Sequence, residues 1–587
     1  MTSTRVLNQA GGALALTLFS LVGCNAIVGL DQLKIGEEPT DFAGSNSGGR
    51  TGSEAGNAGN AGKGGSNTNS EAGSGTTPGG EAGAGGEGGE GPQGDCTTNQ
   101  ECTDRLTQEA MGKAGGTGTA EVAAACVKSP IPHCVKLLSE DCDGITGDYL
   151  NNRAIFVGSL FSTKGPTAAT NLVRQQAAAL GIEQINMAGG IPTGSTSANG
   201  RPLVMVSCDE STNLIRAATH LVNDLHVPAI VGPNTSQDTL DVSTNVTVPG
   251  GTVVMSPTGV ASSIASLSDN DLTWLMVPSD VQRAPLMISQ VGELEKQLKA
   301  ERTKETIDLG IIFRNDALGI GTRTALDGLK VNGQSLANNP HVKIDPYSGS
   351  ATDADYQALA SKYVTFLPDI IVLAGTPEAI KLMEFLEKDW PKDGSPRPYY
   401  VLIDSSKVKE LLTLANPNAH DLRRRVRGTG ITPGPGGPDT PAATYDGFLT
   451  DFAVRYKLDK APEISGIGPA HDAAYAIGLA LAATRSQEVS GASVAQGLRK
   501  LAGGATRLKA NGINVLAAFQ KLSAGEKITL VGTFGILDWD ANGAVQGGTL
   551  EMWCIGGSSE TAAWGNSTLL FDIKTQTMSG SYVPCTP

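Results

Sequence analysis

The sequence predicts an α/β protein with two doubly wound lobes of parallel sheet and a cleft between them. Three observations predict it. From Ala154 onward, short apolar runs rich in Val, Ile and Leu alternate with helical stretches, the pattern of a parallel sheet covered on both faces. The alternation begins a second round after "WLMVPSD". The body carrying both rounds exceeds 400 residues, enough for more than one core.

In the first round "AIFVGSL" reads as a strand and "TAATNLVRQQAAALGIEQIN" as a helix, with Val173, Ala177 and Leu180 on one face. "PLVMVS" follows as a strand, "STNLIRAATHLVNDL" as a helix, "PAIVG" as a strand, "SQDTLDVSTNV" as a short helix and "TVVMS" as a strand. In the second round "IDLGIIF", "DIIVLAG" and "YYVLID" read as strands, and "GTRTALDGLK", "YQALASKYV" and "PEAIKLMEFLEKD" as helices. Residues 441–520 read as mostly helical, with Ala470, Ala474, Ile477 and Leu481 on one apolar face. After Lys527 the pattern turns to strands: "ITLVGTFGIL", "VQGGTLEMWCI" and "STLLFDI". "DWDANG" imitates the start of a calcium loop, but Thr549 stands where that loop needs Glu, so the stretch reads as a tight turn.

Two such units side by side make a cleft. Ligands of open parallel sheets sit at the carboxyl ends of the strands, where helix N-termini present free N–H groups. The relevant loops follow Gly158, Gly232 and Phe313, and cover Ser256–Val260, Gly375–Glu378 and Asp404–Ser406.

Ahead of this body, Arg5 precedes an apolar run from Ala13 to Val22. That run is too short to span a bilayer, which takes about 20 residues, and has the proportions of a secretory signal. Leu21, Val22, Gly23 and Cys24 resemble the lipobox of bacterial lipoproteins. The resemblance implies that residues 1–23 are a signal peptide, that Cys24 is acylated, and that the protein is anchored to a membrane without spanning it. Asn25 behind the cysteine leans towards the outer membrane. Residues 24–94 then hold the anchor and a Gly-rich tether. From Thr40 to Gln93 there are too few large apolar residues to offset the entropy of folding; as a random coil that tract spans on the order of 40 Å.

A formal net charge of −15 argues against nucleic acid as a partner. The basic cluster Arg423, Arg424, Arg425 and Arg427 reads as a solvated helix end. Besides Cys24, eight cysteines remain: Cys96, Cys102, Cys126, Cys134, Cys142, Cys208, Cys554 and Cys585. An even number in an exported chain suggests disulfides. Five of them crowd into residues 95–150, a small stapled segment, and Cys554 with Cys585 is the pairing expected at the C-terminus. No CxxC or HExxH occurs, so no metal site is expected, and no cofactor. No GxSxG or P-loop occurs either, so no enzyme is expected.

Several stretches carry a further resemblance: "AIFVGSLFSTKGPTAAT", "AALGIEQINMAGGI", "AIVGPNTSQDT", "VVMSPTGVASSI", "WLMVPSD", "PAHDAAYAIGLAL" and "GTFGILDWDANG". In order and spacing the chain resembles the type I periplasmic binding proteins, in the branch of leucine/isoleucine/valine-binding proteins and amino-acid receptor ligand domains. The resemblance implies two lobes joined by crossover strands, with residues 151–277 and 430–528 in lobe 1 and 278–429 and 529–587 in lobe 2. It implies capture of a small polar ligand, an amino acid or a related compound, by lobe closure, for an ABC-type permease or a sensor protein. A surface-tethered interaction module with the same fold is the alternative. Carried over from the family, Ser236 holds the ligand's carboxylate and Thr258 supplies a backbone contact. Val260 stands where a second Thr binds the head group, Thr170 where an aromatic stacks, and Leu318 where a Tyr stands before Gly-x-Gly. Asp404 is placed to meet an α-ammonium group, and Thr376 lies in another cleft loop. The fold-bearing stretches match the family better than the pocket does.

Overall fold

The computed structural model describes residues 94–113, 121–193, 200–416, 420–484, 488–558 and 560–586. The expected signal peptide, Cys24 and the tether lie outside the described residues. Two large sheets organise the rest. The first has six strands, in spatial order Cys142–Thr146, Leu203–Asp209, Ile155–Phe161, Ala229–Val231, Val253–Ser256 and Thr273–Leu275. All neighbours are parallel except the first strand, which runs antiparallel to Leu203–Asp209. The second has eight: Val342–Tyr347, Leu309–Arg314, Ile370–Ala374, Tyr399–Leu402, Val426–Thr432, Thr549–Gly557, Ala562–Asp572 and Thr577–Ser579. Its first five are parallel and its last three antiparallel.

Numbered by chain order, the five parallel strands of each sheet lie as 2-1-3-4-5. The two lobes are therefore topological copies. Each is a doubly wound unit, and each has its order reversal between its first and third strands. In such sheets ligands bind at that switch point. The central strands are buried along their full length, as in Ile370–Ala374 and Leu203–Asp209, which is why the sequence shows unbroken apolar runs in place of alternation.

Helices Ala168–Met187 and Ile467–Thr484 pack against each other over the first sheet. A Cβ on Gly181 would sit 2.9 Å from the His471 carbonyl oxygen, and one on Gly478 would sit 2.7 Å from Ile185, so glycine sets how closely these helices approach. The expected single apolar face on Ile467–Thr484 is a difference: residues 467–483 are buried all round, because the sheet, helix Ala168–Met187 and the helices after residue 490 enclose it.

The lobe boundaries also differ from expectation. Strand Val426–Thr432 stays with the second sheet through Thr432. Residues 529–545 do not join the second lobe. Leu530, Leu537, Trp539 and Val545 pack into the first core, and Ala544 bridges Leu275 at the first sheet's edge. The chain returns to the second sheet only at Thr549. Between the sheets it thus crosses three times, after Leu275, after Thr432 and after Val545. The "DWDANG" stretch is a tight turn in which Asp540 Oδ1 accepts from the N–H groups of Asn542 and Ala544.

The segment from 95 to 150 is a helix, Asn99–Lys113, on a hairpin of Ala124–Val127 and His133–Lys136. Disulfides Cys96–Cys126 and Cys102–Cys134 staple it. It is less separate than the sequence suggests: Cys142–Thr146 is the edge strand of the first sheet, and Cys142–Cys208 ties it there. Cys554–Cys585 pins the C-terminal residues to strand Thr549–Gly557. The basic cluster is a correction. Only Arg424 is exposed, while Arg423, Arg425 and Arg427 are buried. Arg425 makes a two-pronged pair with Glu387 at 2.7 and 2.9 Å, and Arg427 stacks 3.8 Å over the Tyr582 ring. Their role is internal bracing of the second lobe.

Candidate ligand-binding site

The carboxyl edges of the two sheets meet. Ala317 N–H, at the start of helix Ala317–Ala325, donates to Gln237 Oε1 on helix Ser236–Val242 at 3.2 Å. Ala261, Ile264 and Leu275 of the first lobe pack with Ala317 of the second. A Cβ on Gly321 would stand 2.0 Å from Asp280 Oδ2 within the second lobe and 3.5 Å, an ordinary contact distance, from Ala261 Cα of the first.

The family-derived residues fall into three groups. In the first lobe, Ser236 is 3% exposed, and its Oγ accepts from the N–H groups of Val260 and Ala261 at 3.0 and 3.2 Å. It braces the Ser-Pro loop from beneath. The helix cap is its neighbour Thr235, whose side chain accepts from Asp238 N–H. Thr258 is half-buried, and its hydroxyl hydrogen-bonds to both Asn234 O and Asn234 Oδ1. Thr170 is half-buried in the first turn of helix Ala168–Met187.

A second group, Val260, Leu318 and Asp404, lines a single cavity together with Arg283, Asp280 and Thr429. Its volume is about 10 Å³, room for one water and not for an amino acid. Asp404 is already paired, with Arg283 Nη1 at 2.5 Å from Asp404 Oδ2.

The third group surrounds Thr376. Arg314 Nη1 donates to Thr376 Oγ1 at 2.6 Å, and Thr376 Oγ1 donates in turn to Glu378 Oε2. Tyr347 OH donates to Glu378 Oε1 at 3.0 Å, and Arg314 Nε pairs with Asp316 Oδ2 at 2.8 Å. Burial, and then the charge of Glu378, hold the Tyr347 phenol well above its ordinary range, so Tyr347 is a donor here.

The sequence reading missed residues at the first lobe's switch point. Asp209 and Glu210 close strand Leu203–Asp209 beside Ser162 at the end of Ile155–Phe161. Asp209 Oδ1 and Oδ2 accept from Thr163 N–H, Lys164 N–H, Ser211 Oγ and Thr212 Oγ1, which holds the loop. Glu210 is 5% exposed. Its Oε1 accepts from Ser162 Oγ at 3.0 Å, while its Oε2 is buried with no hydrogen-bond partner among the described residues. Burial, reinforced by the nearby charge of Asp238, raises its pKa well above the usual carboxylate value. Arg174, one turn into the first helix, donates to Ser465 O and Asn171 Oδ1, each at 2.8 Å. Burial pushes its pKa down to about 10 against the fields of Asp404 and Glu210, so charges of both lobes act on it. The available signal was an acidic pair at the end of a buried, mainly apolar strand.

No family model matches the sequence, and no curated protein does. Solved structures do. A leucine-binding protein from Thermotoga maritima is 14% identical, with a TM-score of 0.50 over 70% of this chain and 97% of its own. A type 1 periplasmic binding protein from Bordetella pertussis is 14% identical, also with a TM-score of 0.50, over 70% of this chain and 100% of its own. These likenesses, with the doubled strand order, show the fold: two lobes of the type I periplasmic binding protein kind.

Proposed function

We propose that this chain is a lipid-anchored, extracytoplasmic solute-binding protein that captures a small polar ligand between its lobes and presents it to an ABC-type permease. The observation that carries this reading is the meeting of two carboxyl sheet edges, each with a switch point, at a boundary crossed by three chain segments. Three thin crossings allow one lobe to swing against the other, and a ligand held by both favours the closed arrangement. Ser236 supports the ligand loop through its bonds to the Val260 and Ala261 N–H groups. Cys24 carries the lipid, and the tether gives the lobes reach.

The competing reading, a tethered sensory or interaction module, draws support from how many of the expected contacts are already used within the protein, above all Asp404 by Arg283 and Thr376 by Arg314 and Glu378. The test is a thermal-melting screen of the folded protein against amino acids, peptides, sugars, organic acids and amines, followed by small-angle scattering with any hit. A ligand that binds only the native state raises the melting temperature, and capture also shrinks the radius of gyration. Hits without compaction, or a well-folded sample with no hit, favour the module.

A further inference from the structure

We propose that the cleft is built for a ligand of net positive charge, an amine or guanidine compound, and that Glu210 is the residue that meets its cationic nitrogen. This rests on the capture reading. Glu210 stands in the switch-point loops of the first lobe, where a ligand of such a sheet sits. Its Oε1 is engaged by Ser162, but its Oε2 is shut off from solvent and partnerless among the described residues. A buried acceptor without a donor is unfavourable, and the N–H groups of a cation relieve that cost while supplying the opposite charge.

The loop does not lack donors. Asp209, one residue earlier, collects four different groups around its carboxylate. They are all directed at Asp209, and Glu210 is left turned away from them. Arg174 feels the charge of Glu210 through space but donates to Ser465 O and Asn171 Oδ1. No ion pair joins Arg174 to Glu210 within 4.0 Å among the described residues.

The wider rim has the same sign. Asp238, Asp316, Glu378 and Asp404 join Glu210 around the meeting edges, against Arg174, Arg283 and Arg314. Arg283 and Arg314 are held by Asp404, Asp316 and Glu378. On the first-lobe side Glu210 and Asp238 stand against Arg174 alone and enter no ion pair among the described residues, and the charge of Asp238 adds to the cost of ionising Glu210, which a cation relieves. An overall neutral aliphatic amino acid does not balance this excess.

The experiment is titration calorimetry on the purified full chain with agmatine, L-arginine and putrescine, set against L-leucine and L-isoleucine. At least one cationic probe is expected to bind ten-fold or more tightly than either neutral amino acid. Glu210→Gln keeps the shape and the Ser162 bond, and should weaken that binding 100-fold or more without lowering the melting temperature of the free protein. Glu210→Asp, which keeps the charge but shortens the reach, should fall between. Unchanged affinity in Glu210→Gln overturns the inference, whichever probe binds. Preference for leucine or isoleucine overturns it while leaving the capture reading intact. If the folded protein binds none of these probes and none of the wider screen, the capture reading falls and this inference falls with it.

Discussion

The two lobes share one strand order and treat charge in opposite ways. At the second lobe's rim, Arg314, Asp316, Thr376, Glu378 and Tyr347 form one connected network, and Asp404 is closed off by Arg283. At the first lobe's rim, Asp209 is surrounded by donors while Glu210 beside it keeps an open acceptor. The same topology thus yields one rim whose carboxylates are all paired, its orphaned atom being a donor, Arg283 Nη2, and another whose orphaned atom is an acceptor, Glu210 Oε2. Polar side chains satisfied among themselves rigidify a surface, whereas an unsatisfied one offers a ligand something that the fold has not already used.

The comparison breaks most visibly at Arg283. Its replacement by Met leaves the half-buried Asp404 carboxylate without its ion pair, holding only the Ser405 N–H, and should lower stability by about 1.5–3 kcal/mol. Adding Asp404→Asn should restore much of that loss. Denaturant unfolding of the two single variants and the double variant measures the coupling; additive losses would mean that the pair does not hold the rim. Arg314→Leu comes next. The Arg314 side chain is 30% exposed, so water takes over part of its work, and a loss of about 1–2 kcal/mol is expected, read in the same way.

Glu210 sharpens the comparison through pH. Its pKa in the folded protein lies above its ordinary value of 4.5 because of burial and then Asp238. The stabilisation that it contributes is therefore fully present below 4.5 and is lost as pH rises through the folded pKa. Over that window the wild type should lose melting temperature relative to Glu210→Gln, which has no charge to form. Parallel curves would show that the group titrates as if exposed. The smallest effect expected is at Thr258→Val, which removes the bonds to Asn234 from a half-buried hydroxyl and should cost about 0.5–1.5 kcal/mol in unfolding experiments.

Much of the fold is legible in the sequence because buried parallel strands leave continuous β-branched runs, as "LVMVS" and "IIVLA" do. The strand order within each sheet is not written in those runs, since any buried strand reads alike from both sides. Residues 529–545 misled for the same reason: "ITLVGTFGIL" has strand character, and nothing local says which core receives it. The arginines near Val426 looked solvated because their partners, Glu387 and Tyr582, are remote in sequence. At the site, Ser236 lies next to the contacts expected of it but is turned inward, and Glu210 was passed over. An orphaned oxygen is a property of three-dimensional packing, and spacing along the chain does not reveal it.

The covalent staples have a mechanical consequence. A pull applied at the N-terminal end of the folded body enters through the helix and hairpin locked by Cys96–Cys126 and Cys102–Cys134, and Cys142–Cys208 hands it to the second strand of the first sheet. That load reaches the first lobe through bonds that do not slip, whereas the second lobe hangs from it by three chain crossings. Under tension the first lobe is the stator and the second the moving arm, so the arm's swing is the quantity that a molecule docked on it would feel.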